Sequence, residues 1–145
     1  MSIFLNNTEE LRTQCKEFLN SKGFILDKEP SKDSPYFRFK DTISGKETSM
    51  VFAINEGGDV AYVRVVATGL GQVNNSIDSL RTLIDKISSQ FKIGKAILVD
   101  NDILLSAECF VYSLENVKQL YERMYIVLRQ MCETYYHTLE NSKTN

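Results

Sequence analysis

One histidine, His137, is the sequence's ordinary candidate for a base titrating near neutrality. Catalysis by it would require a nucleophile at its side and a third group to orient the ring. No Gly-x-Ser-x-Gly elbow occurs, and His137 follows Tyr135 and Tyr136 near the end of the last helical pattern. A protonated imidazole there meets the negative end of a helix dipole, which is a structural role. A lone histidine also excludes a two-histidine metal site. Cys15, Cys109 and Cys132 are far apart and form no Cys-x-x-Cys pair. All three fall on apolar faces of predicted elements and read as small buried hydrophobes. The chain is therefore expected to be no enzyme and to carry neither cofactor nor metal.

Two loop motifs invite a ligand and lack its full pattern. Gly69-x-Gly71-x-x-Asn74 lies between a strand and a helix, where a dinucleotide fingerprint would sit. It misses the third glycine, and its strand closes an antiparallel meander instead of opening a βαβ unit. Asp100, Asn101, Asp102 and Glu108 offer hard oxygens for calcium, yet Leu104 stands at the fifth position of such a loop. Asn and Asp at a tight turn read as a hairpin connection.

The elements that carry these residues follow from two periodicities. Leu11, Cys15, Phe18 and Leu19 recur at helical spacing after Asn7 or Thr8, either of which can cap, and Gly23 supplies a stop. The first helix is predicted over 8–22. Phe24 to Asp27 allows a short extended piece, and residues 29–35, with both prolines, form a loop. Phe37, Phe39 and Ile43, then Met50, Phe52 and Ile54, then Ala61, Val63, Val65 and Ala67 alternate with polar neighbours. Glycines at the two turns between them predict a three-stranded antiparallel meander. Ile77, Leu80, Leu83, Ile84, Ile87 and Phe91 predict a second helix over 76–91, capped by Asn75 or Ser76. Ala96 to Val99 and Ile103 to Val111 form a hairpin, and Ser113 opens a long helix over 114–139, leaving 140–145 as a frayed tail. That helix keeps apolar residues at a 3-4 spacing from Leu114 to Tyr135, and Leu120, Tyr125, Val127 and Cys132 widen the stripe. A wide stripe suits packing on a sheet, with self-association through part of it as the alternative.

Alternation also decides what the sheet shows to the other side. If Phe37, Phe39, Met50, Phe52, Ile54, Val63, Val65 and Leu105 face the helices, their neighbours Tyr36, Val51, Tyr62, Val66, Leu104, Phe110 and Tyr112 point away. So many apolar and aromatic side chains on an outer face mark either a protein interface or a face partly covered by a helix. Tyr62, Val66, Leu104, Phe110 and Tyr112 are the candidate partner or dimer surface.

The predicted α-β-β-β-α-β-β-α order, with an antiparallel sheet packed against helices, is an α+β fold. It resembles that of type III secretion chaperones, and within that fold the YbjN-type sensory-transduction-regulator family. The best local carrier is the hairpin Lys95-Ala-Ile-Leu-Val-Asp-Asn-Asp-Ile-Leu-Leu-Ser-Ala-Glu-Cys-Phe, feeding directly into Ser113-Leu-Glu-Asn. The resemblance covers Thr8 to Leu139. It implies a small, often dimeric, non-enzymatic protein that binds another polypeptide or regulates its state, and it carries over no catalytic residues. The rival reading is a small-ligand binder or enzyme with a pocket between sheet and helices.

The 145 residues fit one domain, 1–145, able to bury roughly two-thirds of the unfolded chain's surface. Composition, 43% hydrophobic and 25% charged, is globular, and a net charge of −2 is a poor footprint for nucleic acid. The amino terminus lacks a positive segment before an apolar run, and no apolar run approaches the ~20 residues of a membrane span. These features suggest a cytoplasmic protein with reduced thiols. Metal analysis of purified protein should find no stoichiometric zinc, and one tightly held equivalent would overturn that expectation.

Overall fold

The computed structural model describes residues 3–32, 34–57, 60–70, 77–91, 93–99 and 102–143. Its elements in chain order are α1 (Ile3–Ser21), β1 (Leu26–Lys28), β2 (Tyr36–Ile43), β3 (Lys46–Gly57) and β4 (Val60–Thr68). These are followed by α2 (Ile77–Gln90), β5 (Gly94–Val99), β6 (Asp102–Val111) and α3 (Val117–Lys143). The fold is α+β, and all six strands join one antiparallel sheet in the order β1-β2-β3-β4-β6-β5.

Alternation builds the sheet as expected. Phe39, Met50, Phe52, Ile54, Val63, Val65 and Leu105 are fully buried on the face that meets the helices. Ser44 and Gly45 connect β2 to β3 with φ of 53° and 77°. Two positive φ angles in a two-residue loop are the turn whose twist matches the flanking strands.

Four boundaries differ from the sequence expectation, each for a local reason. The helix α1 begins at Ile3, so Asn7 and Thr8 lie inside it and do not cap it. The helical spacing of Leu11, Cys15 and Phe18 continues upstream through Thr8, which is buried, and extends the stripe. The extended piece at 24–27 becomes strand β1, because Leu26 and Lys28 pair with Phe39 and Arg38 through a shifted register. This adds a fourth strand before α2. Ser113 accepts a hydrogen bond from the Glu115 amide at 3.0 Å, but Asn116 then takes φ 60° and α3 starts only at Val117. At its other end α3 runs through Lys143, so 140–143 are helical and not frayed.

The helices are fixed to the sheet by rings and hydroxyls. Phe18 from α1, Phe52 from β3 and Tyr121 from α3 meet at centroid separations of 5.6–6.2 Å. Tyr121 donates to the Leu11 carbonyl at 2.8 Å, and Tyr136 bonds Thr48 at 2.7 Å. Tyr125 donates to Asp41 on β2, and Arg129 bridges the same carboxylate at 3.1 Å. Gly94 opens β5 so close to α3 that a Cβ there would stand 2.5 Å from Met131 Sδ. Cys15 and Cys132 are fully buried and Cys109 is half-buried, all unbridged. Desolvation pushes the Cys132 thiol up to about 12 and Cys15 higher still. Replacing Phe52 by Ala should cost about 3–5 kcal/mol, read as a lowered urea midpoint with an unchanged slope.

Candidate functional site

The register places the predicted surface residues together. Tyr62 pairs directly with Phe110 across β4 and β6, and Val66 pairs with Ser106. Leu104 pairs with Ile97 of β5. All of these have the parity opposite to the buried face, so Tyr62, Val66, Leu104 and Phe110 share the outer face, with Tyr112 following β6. Their exposure differs. Phe110 is 56% and Tyr112 78% exposed, Tyr62 and Leu104 are half-buried, and Val66 is only 9% exposed. Val66 lies between Val51 and Ser106 on flanking strands, and Ser106 is buried as well. It supports the surface and contributes little area to it.

Two apolar members were missed in the sequence. Ile97 and Val99 of β5 are 48% and 43% exposed on this same face. Their signal was the alternation Lys95, Ile97, Val99 against Ala96 and Leu98, which the hydrophobicity of the whole run masked. β5 pairs only with β6, and its far edge is capped in part, since the Gly94 amide donates to the Phe91 carbonyl and the Ala96 amide to the Ser88 hydroxyl of α2.

A carboxylate sits inside this apolar field. Tyr62 donates its hydroxyl to Glu108, and Lys95 bonds the same oxygen at 3.1 Å. The Tyr62 and Phe110 rings lie 5.3 Å apart beside it. Burial pulls the Glu108 carboxyl upward, but the bonds from Tyr62 and Lys95 and the nearby positive charges outweigh it. The net position is below the usual carboxylate value. Tyr62 is pushed up to about 12, first by burial and then by donating to Glu108. A carboxylate held ionised by a phenol and an ammonium is an orienting device. It is ionised near neutrality.

The other sequence candidates fall elsewhere. His137 is exposed on α3. Gly69 takes φ 64°, while Gly71, Asn74 and the capping Asn75 and Ser76 lie outside the described residues. Asp100 and Asn101 do as well, although the pairing of Val99 with Asp102 closes the hairpin they connect. Among the described residues no three His, Cys, Asp or Glu side chains converge on a metal-sized site. Nor is any described helix long and apolar enough to cross a membrane. Comparison with protein-family models and with curated proteins finds no match for the chain.

Glu108 sets a pH dependence whose sign is fixed. Its folded value lies below the ordinary 4.5, so its stabilisation is complete above that value and is lost as pH falls through the lower folded one. Tyr62→Phe removes one donor and should raise the Glu108 pKa in an NMR titration. The stability gap between wild type and this variant should be widest near neutrality and narrow in acid.

Proposed function

We propose that this chain is a non-enzymatic protein-binding module, chaperone-like or regulatory, that docks another polypeptide or a second copy on the outer sheet face. The observation that carries the reading is an outer face that no described helix covers, with Phe110 and Tyr112 exposed at one end and Ile97 and Val99 at the other. Exposed apolar area of this kind marks an interface. Large aromatics at such a face supply most of the binding free energy.

The resemblance to type III secretion chaperones and to the YbjN-type family points the same way, toward a cytoplasmic, dimeric partner-binding protein. A symmetric dimer is the commonest assembly of small soluble proteins and removes about 1,200–2,000 Å² from water. The rival, a ligand pocket between sheet and helices, has less support, since Phe39, Phe52, Ile54, Tyr121 and Leu128 fill that space. Sedimentation at micromolar concentration should give a dimer for wild type and a monomer for Phe110→Asp. Circular dichroism should show both folded. A monomeric wild type would refute self-association, and an unfolded variant would show that Phe110 supports the fold.

A further inference from the structure

Two hollows flank the start of α3, and they share residues. One, of about 400 Å³, lies between the end of β6 and α3, with Phe110, Tyr112, Leu120 and Asn116 in its wall. The other, of about 580 Å³, lies between α1 and α3, with Phe18, Ser21, Glu122 and Ile126 in its wall. Gln119 and Arg123 line both. These two residues are four apart, so they form a crest along the helix with a hollow on each side. The crest joins the outer sheet face to the α1–α3 crevice. Phe110 and Tyr112 on one flank and Ile126, 40% exposed, on the other give it apolar shoulders.

Charge bookkeeping along this surface leaves one cation unmatched. Lys118 pairs with Glu17 at 2.5 Å, and Glu122 pairs with Lys22 at 2.6 Å. Glu115, in the wall of the β6–α3 hollow, has no ion pair among the described residues and stands two residues before α3 begins. Arg123 has no ion pair among the described residues. A guanidinium on an exposed crest between two apolar hollows matches a carboxylate flanked by apolar groups.

We infer that the crest of α3 receives an extended polypeptide segment carrying an acidic side chain between two apolar ones, with Arg123 as the residue that selects the acid. The carboxylate meets the guanidinium, and the apolar side chains enter the hollows beside Tyr112 and Ile126. This rests on the protein-binding reading above and names its partner's chemistry. It deepens that reading by placing recognition at the rim of the sheet face.

The test is fluorescence anisotropy with a fluorescein-labelled peptide, Ser-Phe-Ser-Asp-Ser-Leu-Ser, and two counterparts with Asn or Lys in place of Asp. Wild type should bind the Asp peptide about tenfold tighter than the Asn one, as a charge-assisted pair requires, and the Lys one weakest. Arg123→Glu should reverse the order of the Asp and Lys peptides. Arg123→Gln should abolish the preference and leave circular dichroism unchanged. Tyr112→Ser and Ile126→Ser should weaken all three peptides alike. Equal affinities in wild type, an unchanged order in Arg123→Glu, or no binding of any peptide would overturn the inference. The sedimentation of Phe110→Asp decides the wider reading separately. Equal binding of all peptides that is lost in Tyr112→Ser would keep a docking surface and remove the acid selectivity.

Discussion

A sheet whose described helices all pack on one side must hold them firmly there and present its other face outward, and both demands shape this chain. The helix α3 meets the first with tyrosines. Tyr121 reaches α1, Tyr125 reaches β2 and Tyr136 reaches β3, each burying a ring while its hydroxyl finds an acceptor or partner. A buried phenol without a partner would cost stability, so these hydroxyls also fix where along the sheet α3 can lie. Phenylalanines in their place would fill nearly the same volume and leave the helix freer to slide. The close approach of Gly94 to Met131 adds a steric stop at the β5 side.

The outer face solves its own problem with charge set among apolar groups. Lys95, Glu108 and Tyr62 form a polar line across β5, β6 and β4, and Arg64 stands opposite Glu108. The line breaks the apolar area into parts. It leaves Phe110 and Tyr112 at one end and Ile97 and Val99 at the other. An inward-leaning charge pattern of this type discourages indiscriminate sheet stacking while leaving defined places for a partner.

The inner face was legible in the sequence because period-two alternation names it directly, and Phe39, Phe52, Val63 and Leu105 are buried as the pattern requires. The direction of Tyr62, Leu104 and Phe110 followed from the same rule. How far each was exposed did not. Val66 has the right parity and little accessible area, since exposure depends on what other elements place over a residue, which one strand's pattern does not contain. Strand β1 was obscured because three residues carry no measurable period, and its pairing partner is remote from its own composition. The start of α1 was misplaced because Asn7 and Thr8 favour a cap locally, and the continuing apolar stripe overrode that preference. The role of Arg123 was invisible, since a guanidinium becomes informative only once its neighbours' ion pairs are known.

The bond from Tyr121 to the Leu11 carbonyl joins residues 110 positions apart. It sets an order of events during synthesis. The meander β2–β3–β4 and the hairpin β5–β6 link neighbours and can form as they emerge, whereas α1 gains its ring contacts from Tyr121 and Tyr125 only when α3 has been made. At ribosomal rates of about 5–20 residues per second, the flank of α1 that packs on α3 waits roughly 5–20 seconds for its partner, while Phe18 can already meet Phe52 of β3. A chain released before α3 is complete would leave β4 and β6 uncovered on the inner face, where α3 packs.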